Sequence, residues 1–224
     1  MPGTRERIDA AATTVHRRGT EELGRRETAA CAATCRHVVD VIEAEFETLQ
    51  ADGAGIACAP GCTFCCHLRV GVFAHEALAL LDHLRASAAR DEAAAIEKRI
   101  LENARAIDGK TAAEHNAARI RCAFLVNGRC SAYEVRPSAC ARYHSLSRAR
   151  CEYSFDHPQD IGTPRNSRPA LADLQAFGAA VDSATEAALK EAGLSTAKSE
   201  LHQLLRTLIE DPSGVDRWRA GETF

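Results

Sequence analysis

Aromatic residues are scarce in this chain of 224 residues: one Trp, three Tyr and seven Phe make up 5% of it. Runs of Val, Ile and Thr are scarce too, while Ala is abundant, so the sequence favours helices over a sheet-built core. No stretch of about 18 apolar residues occurs, which argues against a membrane-spanning helix. Residues 1–26 carry many charges and no apolar run, so they do not read as a secretory leader. A cytoplasmic location is expected. The formal net charge of −3 does not suit a protein that coats nucleic acid through net charge. The short basic pairs Arg17-Arg18 and Arg25-Arg26 are neutralised by Glu21, Glu22 and Glu27. A Ser-His-Asp ordering, a phosphate-binding loop and a dinucleotide fingerprint are all missing. No catalytic motif is therefore read, and the sequence leaves enzymatic activity open.

What is present is an ordinary globular composition, 46% hydrophobic and 26% charged, on a chain long enough to bury roughly 70% of its unfolded surface. Apolar residues recur at helical spacing in several places. One helix is expected over about 27–50, striped by Cys31, Cys35, Val38, Ile42, Phe46 and Leu49. A second runs over about 75–88, and a third over about 91–119 with Gly109 as a bend or break. Two more are expected over about 170–191 and 196–210, the last stopped by Pro212. The expected architecture is mainly α: a helical bundle framing two irregular cysteine-rich segments, with one short β-hairpin near 123–132. The expected division is a charged N-terminal arm or helix over 1–26, a single helical metal-binding domain over 27–211 with its cysteine core at 58–151, and a C-terminal tail over 212–224.

The two irregular segments, Gly53–Gly71 and Arg121–Pro169, hold eight of the ten cysteines. Ten cysteines are too few for a disulfide scaffold, and a chain of this size does not need one. Metal ligation is the better reading. The first segment places Cys58, Cys62, Cys65 and Cys66 within nine residues. Thiolates two or three residues apart can turn toward one metal or cluster, and Pro60-Gly61 supplies a turn between them. Adjacent Cys65 and Cys66 diverge unless the backbone bends sharply, so they can serve two metals. The second segment spreads Cys122, Cys130, Cys140 and Cys151. Asn127-Gly128 signals a type I′ hairpin with strands 123–126 and 129–132, in which Cys130 lies opposite Leu125. A strand must then stop or bulge near Cys122 for Cys122 and Cys130 to share a centre. Cys31 and Cys35 lie on the expected core stripe and read as small buried hydrophobes. His67 and His144 are further candidate ligands. Arg69, Arg129, Arg136 and Arg142 are placed to offset thiolate charge, and Tyr133 and Tyr143 to cover the site.

Together these residues resemble the YkgJ-type cysteine-cluster family, often described as carrying a zinc- or iron-chelating domain. The resemblance rests on Cys58, Cys62, Cys65 and Cys66, followed by Cys122, Leu125, Gly128, Cys130, Tyr133, Arg136, Pro137, Cys140 and Tyr143, and it covers roughly 58–151. It implies a metal or iron–sulfur cluster on a small, mainly helical module. One departure is that Ala141 stands between Cys140 and Arg142, where the family often has Arg directly after the Cys. Seven cysteines match by position, and Cys151 matches more loosely as an eighth.

The candidate metal ligands are thus Cys58, Cys62, Cys65, Cys66, Cys122, Cys130, Cys140 and Cys151. Eight thiolates suffice for two zincs or for one [4Fe–4S] cluster with a remainder; an iron–sulfur cluster is slightly preferred over zinc. The spacing of Cys58, Cys62 and Cys65, with Phe64, also matches a radical-SAM cluster motif, but the chain lacks the alternating strands and helices of such enzymes. The expected role is metal or cluster handling, or electron transfer. The alternatives are an iron–sulfur-dependent oxidoreductase or modifying enzyme, and a structural zinc module that binds a protein partner. No nucleic acid and no membrane are expected among the partners.

Overall fold

The computed structural model describes residues 3–160, 162–166, 169–211 and 213–224. It is mainly helical, as composition implied. In chain order the α-helices are α1 (Thr4–Leu23), α2 (Thr28–Ala51), α3 (Ala74–Ser87), α4 (Arg90–Ile107), α5 (Ala112–Ala117), α6 (Ser138–Ala141), α7 (Arg148–Asp156), α8 (Ala172–Glu191), α9 (Leu201–Glu210) and α10 (Gly214–Arg219). The strands are β1 (Gly71–Phe73), β2 (Leu125–Val126), β3 (Arg129–Cys130) and β4 (Lys198–Glu200). β1 pairs antiparallel with β4, and β2 with β3.

Helices α2, α3, α8 and α9 fall within a few residues of where the apolar periodicity predicts them, and α1, expected as a charged arm or helix, is a helix of 20 residues. The expected helix over 91–119 is two: α4 ends at Ile107, the chain turns through Gly109, and Thr111 caps α5 by accepting the N–H of Glu114. The expected first turn of α9 is not helical: Lys198–Glu200 forms β4, and α9 begins at Leu201. No local signal marks β1 and β4, which are too short to show alternation and are fixed by each other. Pro212, the expected stop for α9, lies outside the described residues. Beyond it α10 forms, and Trp218 is fully buried, so this part of the expected tail packs on the body.

The apolar stripes meet in two cores. In one, α2, α3, α4 and α9 surround Cys31, Cys35, Phe73, Leu80, Ile96, Ile100, Leu205 and Trp218. In the other, α1, α2 and α8 pack Val15, Val39, Ile42, Leu174, Phe177 and Val181. Each fully buried aliphatic side chain stabilises the fold by roughly 1.5–3 kcal/mol relative to exposure. Helix α2 contributes to both cores, and Cys31 and Cys35 face the first, as the stripe predicts. Among the described residues, no helix is long and apolar enough to cross a membrane.

Candidate metal centre

The first cysteine segment is strung between two fixed points. At its start the N–H of Ala57 donates to the carbonyl of Ser145 at 2.8 Å, and the N–H of Ser145 donates to Cys58 Sγ at 3.2 Å. At its end the N–H of Cys122 donates to the carbonyl of Cys66 at 2.8 Å. In between, a turn through Pro60-Gly61 is closed by the Cys62 N–H on the Ala59 carbonyl. A single 3-10 turn, Phe64–His67, carries Cys65 and Cys66. That turn lies against α7: the Phe155 ring sits 5.7 Å from Phe64 and 4.9 Å from His67.

The second segment is shorter in strand and richer in helix than expected. The β2–β3 register pairs Leu125 with Cys130, as predicted, across Asn127 and Gly128, both at positive φ. The ladder begins only at Leu125, whose N–H folds back to the Cys122 carbonyl at 3.1 Å. The strand thus stops before Cys122, as required for Cys122 and Cys130 to face the same region. Cys140 sits in the short helix α6 rather than a simple turn, and Cys151 is buried in α7, an element the sequence did not announce.

All ten cysteines are free thiols. Burial pushes the Cys58 thiol up; the Ser145 N–H draws it down, and the nearby Cys62, Cys65 and Cys151 push it up again. Burial takes Cys122 to about 12, opposed by the Phe124 N–H and reinforced by Cys130, Glu200 and Cys65. Burial also raises Cys130, with Ala132 and Arg136 pulling down and Cys65 pushing up. Cys140 is pushed well above the ordinary thiol range by burial, with Cys122, Cys65, Cys130 and Glu76 adding. Cys65 is therefore a neighbour of thiols from both segments. Among the described residues, no three His, Cys, Asp or Glu side chains already stand as the ligand sphere of one metal ion. The thiols are assembled as neighbours rather than as a finished cage. The donor chemistry still fits a soft or borderline cation: partly buried thiols that resist ionisation alone are stabilised as thiolates when a metal takes the proton's place.

Sequence reasoning missed the groups that hold this assembly in place. The Glu76 carboxylate on α3 accepts the N–H groups of Phe73 and Ser138, each at 2.9 Å. Ser138 Oγ in turn donates to Asp182 on α8. The first turn of α6, two residues before Cys140, is thus tied to two other helices. Beside Cys122, the Ala123 N–H donates to His202 Nε2 at 3.3 Å, while His202 Nδ1 faces Glu200 at 3.2 Å. A Glu three residues after a helix entry is the one local signal; the long-range partners leave none.

Several expected roles change. Arg142 turns to α8: its guanidinium pairs with Asp182 at 3.2 Å and its aliphatic stem packs over Gly178. Arg136 is buried, paired with Glu43 at 2.8 Å, yet still close enough to draw Cys130 down. Tyr133 is 55% exposed, stacks on Arg136 at 3.7 Å and has Cys130 among its neighbours. His67 Nδ1 lies 3.1 Å from the Thr63 carbonyl, and His144 stacks on Phe46 with ring centroids 4.0 Å apart. Arg119 and Arg148 lie over the rings of Phe155 and Phe64.

Neither a curated protein nor a solved structure matches the chain. A family model does: CxxCxxCC, with the description "Putative zinc- or iron-chelating domain", matches residues 57–160. The match covers just under half of the chain, begins immediately before Cys58 and takes in both cysteine segments. This chain has one residue more between its first two cysteines than the family's name spells. Over residues 57–160, its cysteine-bearing region, the chain is thus similar to the CxxCxxCC family.

Proposed function

We propose that this protein binds a metal through Cys58, Cys62, Cys65, Cys66, Cys122, Cys130, Cys140 and Cys151, as an iron–sulfur cluster or as zinc. Its role is then metal or cluster handling or electron transfer in a reducing cytoplasm, with residues 27–211 as the binding unit. The observation that carries this reading is the convergence of two cysteine segments, 56 residues apart from Cys66 to Cys122 in sequence, onto one another through the Cys122–Cys66 hydrogen bond. The family match supports the same chemistry.

The chain's own residues account for how such a site is built. Helices α3, α7 and α8 hold Cys140 and Cys151 where the first segment can reach them. The Ser145 N–H donates to Cys58 Sγ, an interaction that favours the thiolate over the thiol. Partial burial limits the access of water to most of these thiols, and the positive charge of Arg136 offsets part of the negative charge that several thiolates accumulate. A bound zinc would fix the two segments structurally, and a bound cluster would add one-electron redox chemistry. Because ligands must be gathered and deprotonated, binding adds to folding free energy.

The test is metal and sulfide analysis of untagged protein purified without oxygen. Stoichiometric iron or zinc is the expected result. Metal-free protein that takes up neither zinc nor iron contradicts the reading.

A further inference from the structure

Resting on that metal-binding reading, we propose that the surface over α7 and the 3-10 turn Phe64–His67 docks an acidic protein partner, through Arg119, Arg121 and Arg148 set around the ring pair Phe64 and Phe155. From Arg119 to Arg150 the chain carries seven Arg and a single carboxylate, Glu134, although its net charge is −3. Arg136 and Arg142 are committed to Glu43 and Asp182 within the fold. Arg119, Arg121 and Arg148 are exposed, and among the described residues none of the three forms an ion pair.

The fold holds these cations in place before any partner arrives. Arg119 donates to the Asp156 carbonyl at 2.9 Å, and its guanidinium carbon lies 5.2 Å from the centre of the Phe155 ring. The guanidinium carbon of Arg148 lies 5.8 Å from the centre of the Phe64 ring. The two rings are 5.7 Å apart, so two guanidinium groups are set about one aromatic pair. Arg121 directly precedes Cys122, whose N–H bonds the Cys66 carbonyl, and its own carbonyl accepts from Asn103 Nδ2 at 2.8 Å. Its backbone is thus seated beside the same turn. Leu146, 42% exposed, stands just before the Ser147 cap of α7 and adds an apolar contact. Arginines and aromatic rings are the residues that protein interfaces favour, and a stacked guanidinium loses less freedom when it pairs with a carboxylate. Helix α7 also exposes Glu152 and Asp156. Those carboxylates repel a uniformly anionic nucleic acid, whereas an acidic protein surface can set cations of its own against them. A partner seated here covers the turn that carries Cys65 and Cys66, so metal or electrons exchanged with the site cross a short gap. Small, charge-steered contacts of this kind suit brief encounters.

The experiment is fluorescence anisotropy on the full-length protein as purified, with a fluorescein-labelled peptide of alternating Glu and Ala as the probe. Binding is expected at low ionic strength and is expected to fall steeply toward ~150 mM salt. Arg119→Ala combined with Arg148→Ala is expected to weaken it by ~5-fold or more. Arg17→Ala combined with Arg18→Ala, which removes the same charge from α1, is expected to change it by less than ~2-fold. Arg148→Ala alone breaks a ring contact and no hydrogen bond, and it is expected to show part of the loss with circular dichroism and metal content unchanged. Equal losses in the two double variants, wild-type binding by Arg148→Ala, or no binding of the peptide overturns the docking surface and leaves the metal-binding reading standing. Tighter binding of a single-stranded oligonucleotide of equal charge overturns the acidic protein as the partner. Metal-free protein that still binds the peptide through Arg119 and Arg148 contradicts the metal-binding reading instead.

Discussion

The carboxylate of Glu76 reaches from α3 to accept the N–H of Ser138 at 2.9 Å, two residues before Cys140. Its other oxygen accepts the N–H of Phe73 at 2.9 Å, so one buried side chain satisfies two backbone donors from distant parts of the chain. Burial raises the Glu76 pKa, and these two N–H groups pull it back. Glu76→Gln keeps one acceptor and turns an amide donor toward the other N–H. Loss of about 1–3 kcal/mol is expected in urea unfolding, together with weaker metal retention, because the start of α6 is released. Unchanged stability would show that the contact is incidental.

His75, next to it, is fully buried, and burial lowers its pKa to about 4; Asp182 opposes this, and Lys198 reinforces it. A histidine more acidic in the folded chain than in the unfolded one leaves the unfolded state holding more protons between about pH 4 and 6.5. Its contribution is complete above pH 6.5 and is lost as pH falls toward 4. The neighbouring Glu76 shifts the opposite way, so the wild-type curve alone mixes the two. The difference between wild type and His75→Gln isolates the histidine. That difference is expected to change by about 3 kcal/mol from pH 7 to pH 4. A pH-independent difference would mean that the imidazole takes up its proton as readily in the folded chain as in the unfolded one, contradicting the burial effect.

Cys31 and Cys35 are 0% and 3% exposed within the core around α2, α3 and α9. Burial raises both thiols, Cys35 most completely. Cys31→Ala and Cys35→Ala are expected to keep the full metal content while costing about 1–2 kcal/mol in stability, as small core deletions do. Loss of metal from either variant would move these residues from core to site.

Gly178 on α8 leaves room for the Arg142 side chain: a Cβ there would stand 2.7 Å from Arg142 Cβ and 2.5 Å from its Cδ. Gly178→Ala therefore pushes Arg142 away from Asp182 or shifts α6 against α8. A cost of about 1–3 kcal/mol in thermal or urea unfolding is expected, despite the gain in helix propensity. A stabilised variant would mean that Arg142 has an equally good alternative position.

Helices α2, α3, α4, α8 and α9 were legible because each buries a stripe at 3.6-residue spacing, visible in Ile96, Ile100 and Ala104 or in Leu201, Leu204 and Leu205. The hairpin register was legible because Asn127-Gly128 fixes it locally. Helix α7 was not, since its buried Cys151 and Ser154 make no apolar stripe, and its position depends on Phe155 meeting Phe64 and His67. The candidate thiols were legible from spacing alone. The groups that hold them, Ser145, Glu76, Asp182 and His202, were not, because their partners lie 44 to 87 residues away. The role expected for Arg142 changes for the same reason: Asp182, 40 residues away, pairs with its guanidinium.

The most direct measurement is the metal content per chain of the natively purified protein, taken with its visible spectrum and with its unfolding temperature before and after chelation. Stoichiometric zinc or iron, and a lower unfolding temperature once the metal is removed, are the expected results. A broad absorption near 400 nm with matching sulfide identifies an iron–sulfur cluster, and a colourless protein with zinc identifies the zinc form. Metal-free protein whose stability is indifferent to added zinc and iron, with its thiols intact, would contradict metal binding by these cysteines.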